Sequence, residues 1–254
     1  MKQRAAWWLL LLVIVFASCN TKEDLEIKND GSGTLVMKTD LGKMLEMVKN
    51  FAQEDSLKKD GLDRAIDTTM LMKDYVDTAK EIPADKKALL RDGKVHLVVD
   101  LKENKGDIEM QFPFKSTDQL QKLYESLNSS TGGLKNLFGG VGDNPQMQQG
   151  TGDKGMPQIT SVYDIVVKDG LYSRKVNKAR YAEFSDASKL EELKKMSSMM
   201  GDMNYTLSIK LPKPIIKISN PKAVLSDDKK IARLSVDLME VFEHPELLEL
   251  EIEY

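Results

Sequence analysis

Lys94-Val95-His96-Leu97-Val98-Val99-Asp100 and Asp107-Ile108-Glu109-Met110-Gln111-Phe112-Pro113-Phe114 are two runs built on alternation, divided by a polar loop containing Asn104 and Gly106. Val95, Leu97, Val99 and Leu101 alternate with Lys94, His96, Val98 and Asp100, and Ile108, Met110, Phe112 and Phe114 continue the pattern after the loop. A period of two is the signature of a strand with one face buried and one wet, so the two runs read as one hairpin. Ser116 comes next, with Gln119 three residues on, the spacing at which two side chains reciprocally satisfy free N–H groups at a helix start. Leu120, Leu123, Tyr124 and Leu127 then mark one apolar stripe of that helix.

The same order of events recurs downstream. Tyr163, Ile165 and Val167 lead to Asp169-Gly170, a dipeptide that favours the positive φ of a tight turn, and Leu171 to Val176 return. Ser188 and Glu191 repeat the helix-start spacing. Two strand-turn-strand-helix units, at about 94–128 and 160–200, suggest an internal duplication. Further alternation predicts strands at Leu35-Met37-Thr39, Tyr205-Leu207-Ile209-Leu211, Ile216-Ile218, Leu234-Val236-Leu238 and Leu248-Leu250-Ile252-Tyr254, the last with an acidic wet face of Glu249, Glu251 and Glu253. Helical stripes appear at Leu41, Met44, Leu45 and Val48, and at Met72, Tyr75, Val76 and Ala79, the second ended by Pro83. One-sided strands need a cover and one-sided helices need a floor, which predicts an α+β fold: an antiparallel sheet with helices packed on one face.

The first residues carry an address. Lys2 and Arg4 precede an apolar stretch from Ala5 to Ala17, and the small residues Ala17 and Ser18 precede Cys19. That is the layout of a secretory signal peptide, and the stretch is short of the ~20 residues that a membrane span needs. Phe16-Ala17-Ser18-Cys19 resembles the bacterial lipobox, in which the thiol takes a diacylglyceryl group and the chain is cut before the Cys. Phe16 stands where that motif prefers Leu. Cys19 is the sole cysteine, so no disulfide competes for its sulfur. Lys22-Glu23-Asp24 resembles the short export signal that sends some Bacteroidota lipoproteins to the outer face of the outer membrane, and a solvated tether is the alternative. The expected organisation is a signal peptide over 1–18, a flexible tether over 19–32 and a single α+β domain over 33–254. A long mobile loop interrupts that domain at about 129–158, and its Leu134, Leu137, Phe138 and Val141 are a possible interaction surface.

Composition excludes some classes. Losing Lys2 and Arg4 with the leader takes the formal net charge from −3 to about −5, and an acidic chain lacks the basic face that nucleic acid requires. His96 and His244, the two histidines, sit on separate segments and read as surface residues. The glycines between 132 and 142 lack the Gly-Lys-Ser/Thr ending of a phosphate loop. Met196, Met199, Met200 and Met203 have helical spacing, which reads as a core stripe before it reads as a copper site. Asp60, Asp63 and Asp67 miss the spacing of a calcium loop. No metal, cofactor or catalytic residue is expected.

Arg91-Asp92-Gly93-Lys94-Val95 and Phe112-Pro113-Phe114-Lys115, with Lys73-Asp74, resemble a group of uncharacterised Bacteroidota lipoproteins. Leu211-Pro212, Ser219-Asn220-Pro221 and Asp227-Asp228-Lys229 are similar to LppM-type envelope lipoproteins. The resemblance implies envelope location and an α+β fold, and brings no catalytic residues. The expected function is that of a non-enzymatic protein, lipid-anchored at the outer membrane, that binds a protein partner there or at the cell surface. The alternatives are a carrier or sensor of an apolar ligand such as a lipid, and a glycan or peptide hydrolase.

Overall fold

The computed structural model describes residues 19–51, 64–79, 82–127, 159–168, 170–185, 191, 194, 198 and 201–254. The fold is α+β, with strands dominated by antiparallel pairing. In chain order the strands are β1 (Cys19–Ile27), β2 (Gly33–Asp40), β3 (Ile66–Leu71), β4 (Lys94–Asp100), β5 (Lys105–Phe114), β6 (Tyr163–Lys168), β7 (Leu171–Val176), β8 (Met203–Lys210), β9 (Lys217–Ile218), β10 (Val224–Leu225), β11 (Ile231–Asp237) and β12 (Leu250–Glu253). Eight of them form one sheet in the order β10-β11-β8-β1-β2-β5-β4-β3, and the other four form a second in the order β6-β7-β12-β9.

Two sheets rather than one is the first difference from the sequence reading. The small sheet shares the covering layer with the helices Met72–Val76, Ala84–Leu90 and 120–127, and the main core runs between that layer and the large sheet, with a smaller cluster of Leu45, Leu97, Val99 and Leu101 beside it. The opposite face of the large sheet is polar and carries no covering layer among the described residues; it is laced by Lys38–Glu109, Lys210–Glu26 and His96–Asp67 ion pairs and a Thr206–Ser235 hydroxyl bond. Alternation of hydrophobicity along a strand counts its faces but cannot say which strands share a sheet, since pairing is settled by partners distant in sequence.

The second difference concerns the start of the domain. Residues 19–27 are not a tether: they form β1, central in the large sheet, antiparallel to β2 and parallel to β8. The sequence signal was diluted because only Leu25 and Ile27 of its inward residues are apolar, while Glu23 occupies the third inward place. Nor does Asp30-Gly31-Ser32-Gly33 act as a flexible spacer. Asp30 accepts from the Ser32 amide at 3.0 Å and the Ser32 hydroxyl at 2.7 Å, and Gly31 takes φ +77° to close the β1–β2 turn. Gly33 permits a close approach: a methyl there would sit 1.9 Å from the Glu26 carbonyl oxygen and 2.3 Å from Phe114 Cζ. Gly33→Ala is therefore expected to cost about 1–3 kcal/mol, read as a lower urea midpoint.

The hairpin readings hold. β4 pairs with β5, and β6 with β7 through a turn in which Gly170 has φ +79°. Ser116 Oγ accepts from the Asp118 amide at 3.3 Å and Gln119 Oε1 from the Lys115 amide at 3.0 Å, so the helix start is capped from both directions. Beyond their hairpins the two units diverge. After β7 the chain first enters a further helix, Lys178–Phe184, capped by Asn177; Ser188 lies outside the described residues, and Glu191, Lys194 and Ser198 beyond it are helical. The two hairpins also belong to different sheets. Pro83 does not end the second helix but precedes another, Ala84–Leu90.

Candidate functional site: a buried carboxylate and the guanidinium that meets it

Inward residues of the large sheet fall into register rows, and the row through position 23 reads Leu234, Leu207, Glu23, Met37, Met110, Val95. A carboxylate thus interrupts an apolar row at the centre of the sheet. Glu23 is 0% exposed, and so is Arg174, which reaches it from β7 in the small sheet with Nη1 2.7 Å from Oε1. The Tyr124 hydroxyl, from the 120–127 helix, donates to Oε1, and the Tyr205 hydroxyl, from β8, donates to Oε2. One carboxylate therefore gathers the large sheet, the small sheet and the helix layer at a single point.

The surroundings answer the demands of a buried charge. Isolated, it would cost many kcal/mol; paired and hydrogen-bonded, it becomes tolerable. The guanidinium also lies over the Tyr163 ring, 4.3 Å from its centroid, where the ring's negative face meets the positive plane. The Tyr163 hydroxyl in turn donates to the Pro245 carbonyl at 2.7 Å. Burial opposes the charged form of Arg174, but Glu23 and the surrounding tyrosines outweigh it and hold its pKa well above the ordinary value. Burial, reinforced by the Glu23 charge, pushes Tyr124 and Tyr205 well above the usual phenol range. Tyr163 and Tyr172 are raised by burial against the opposing influence of Arg174.

Chemically, this arrangement fixes rather than reacts. Glu23 already accepts three donors, and its neighbours are sealed from solvent. Arg174 Nε and Nη2 and the Tyr172 hydroxyl complete no hydrogen bond among the described residues. What the cluster does determine is register. Lys22, Glu23 and Asp24 are three successive charges, and a one-residue slip would send Lys22 or Asp24 inward instead. At position 23 the glutamate carboxylate meets the guanidinium.

Of the expected site residues, Cys19 is the first residue of β1 and pairs with Met203. Lys22 is exposed and Asp24 half-buried on the uncovered face, while Glu23 is buried on the other, so the triplet is not the solvated run expected of an export tag or tether. Leu134, Leu137, Phe138 and Val141, with the whole of 129–158, lie outside the described residues. Met203 is not on a helix but opens β8, packed against Met44, Leu238 and Met239; Met196, Met199 and Met200 lie outside the described residues. His96 Nε2 meets Asp67 Oδ1 at 2.8 Å on the uncovered face, and His244 Nδ1 meets Glu246 at 3.2 Å, both at the surface. Ser219, Asn220 and Pro221 line a cleft of about 350 Å3 with Glu246 and Leu247, where Asn220 Nδ2 donates to the Leu247 and Glu249 carbonyls. Among the described residues no group of three or more His, Cys, Asp or Glu side chains is placed to hold a metal.

Sequence reasoning read Glu23 as part of an export tag or solvated tether and passed over Arg174, which looks ordinary in its own segment. The available signal was Glu23 at the inward place of a Glu23-x-Leu25-x-Ile27 alternation. Compared with protein families, curated proteins and solved structures, the chain matches none.

Proposed function

We propose that this is a non-enzymatic, lipid-anchored protein of the cell envelope, held in the outer membrane by acyl groups on Cys19 and acting by binding a protein partner there or at the cell surface. The observation that carries this reading is the position of Cys19. The residue that completes the lipobox is also the first residue of the central strand, so an acyl chain on its sulfur would join bilayer and domain without a spacer. An anchor of this kind needs two or more chains to hold, since one gives only marginal binding. An export tag made of Lys22, Glu23 and Asp24 would be readable only before the domain closes around Glu23.

A surface partner is favoured over an enclosed apolar ligand because Phe112, Tyr124, Tyr172 and Leu207 fill the space between the layers, each essentially without exposure. The polar face of the eight-stranded sheet, with no covering layer among the described residues, is the surface offered to a partner. The test is metabolic labelling with a fatty acid, followed by membrane fractionation. Wild type is expected to take the label and sediment with membranes, and Cys19→Ala to lose both. Label retained by Cys19→Ala, or a wild-type chain with a free thiol at Cys19, would remove the proposal.

A further inference from the structure

We propose that the partner docks by strand addition on the free edge of β3, main chain to main chain; this rests on the reading of the protein as a binding module. The two sheets present four end strands: β10 and β3 in the large sheet, β6 and β9 in the small one. Three of them are blunted. β9 and β10 are two residues long, and two of the outward groups of β6 are taken by side chains, with Gln121 Oε1 accepting from the Ile165 amide at 2.7 Å and Arg180 Nη2 donating to the Tyr163 carbonyl at 2.7 Å. β3 is different, since it runs six residues in register with β4 and nothing described pairs with its other side.

The alternation along β3 is fixed by one bond. The Met72 amide donates to the Gly93 carbonyl at 2.9 Å, extending the ladder by one pair beyond Leu71↔Lys94. In an antiparallel pair, alternate residues exchange bonds with the partner strand. Ile66, Thr68 and Met70 therefore turn their amides and carbonyls toward β4, and Asp67, Thr69 and Leu71 turn theirs away. Natural edges are commonly protected by Lys, Pro or a bulge. Ile66-Asp67-Thr68-Thr69-Met70-Leu71 has neither Lys nor Pro and keeps unbroken register, and its single charge is already engaged by His96. Leu71, one of the outward residues, is 38% exposed. The edge thus offers three amide–carbonyl sets that no described residue pairs, and an apolar contact, which fits an extended partner strand with an apolar or β-branched residue opposite Leu71 and no Pro at a donor position.

A second copy of this chain is the competing occupant. Antiparallel pairing of two β3 edges in one continuous sheet would use a two-fold axis normal to the sheet and send the two Cys19 ends to opposite poles. Two chains anchored in one bilayer leaflet with β1 along the membrane normal would not meet that condition.

The experiment is amide-resolved hydrogen exchange on the full acylated protein, in native membranes and after purification in detergent. In purified protein the amides of Asp67, Thr69 and Leu71 should exchange at least about tenfold faster than those of Thr68 and Met70, and in native membranes they should slow by at least about tenfold. Thr69→Pro deletes one outward donor without touching the β4 ladder, so it should abolish the slowing and leave the urea midpoint unchanged. If Thr69→Pro lowers the midpoint, Leu71→Lys, which keeps every main-chain group, should abolish the slowing in its place. Three results would overturn the proposal: outward amides equally fast in native membranes, slowing that survives the edge variant, or slowing in purified protein that grows with its concentration, which would mean self-pairing. Failure of the anchor is seen separately, as a missing acyl mass on Cys19.

Discussion

Arg174→Met is expected to destabilise the protein by about 3–5 kcal/mol, because it strands the Glu23 carboxylate in the core without its counter-charge. Of the single substitutions this structure suggests, it should be among the most damaging. Glu23→Leu should be costly for the mirrored reason, since it leaves a guanidinium with no exposure facing an apolar row and takes the acceptor from Tyr124 and Tyr205. The informative variant is the pair together. A buried ion pair adds little net stability, since desolvation offsets most of the attraction, and replacing both partners by apolar groups of similar volume is often neutral. Glu23→Leu with Arg174→Met should therefore recover much of what either single change loses, and urea unfolding of all four proteins gives the coupling energy directly. Additive losses would mean that the two side chains do not depend on each other.

Raising the pH above about 10 should unfold the protein steeply. Tyr124, Tyr163, Tyr172 and Tyr205 all have phenol pKa values raised in the folded state, with burial the largest cause in each. The folded chain thus holds protons that the unfolded chain releases near pH 10, so stability is fully present below that pH and falls above it. Each such tyrosine contributes a slope of about 1.4 kcal/mol per pH unit, and four together about 5. The signal is clean, because Trp7 and Trp8 both precede Cys19 and a chain cut at that point has no tryptophan. Of its seven tyrosines, four should form phenolate only as the fold is lost, in one cooperative step. A smooth titration of all seven with the fold intact would contradict the buried cluster.

How much of this was legible beforehand depends on how far apart the determinants lie. The β4–β5 and β6–β7 hairpins and the Ser116–Gln119 cap are set by residues close in sequence, and the sequence shows them. The division into two sheets and the parallel β1–β8 pairing depend on contacts nearly two hundred residues apart, which periodicity does not report. β3 escaped notice because Asp67, Thr68 and Thr69 leave it only a weak apolar pattern, the composition of an exposed edge. The central site was hidden by a plausible local reading: Lys22-Glu23-Asp24 looks like solvated chain, and only Arg174, 151 residues away, makes Glu23 a core residue.

That reassignment would join the proposed anchor to the fold, since the strand that begins at Cys19 is held at the centre of the sheet. Hydrogen exchange across residues 20–27 of the acylated, membrane-extracted protein tests it most directly. The structure predicts amides from Thr21 to Ile27 protected as strongly as those of β8, which pairs alongside. Exchange over that stretch at the rate of an open chain would contradict it, and with it the placement of Glu23 against Arg174.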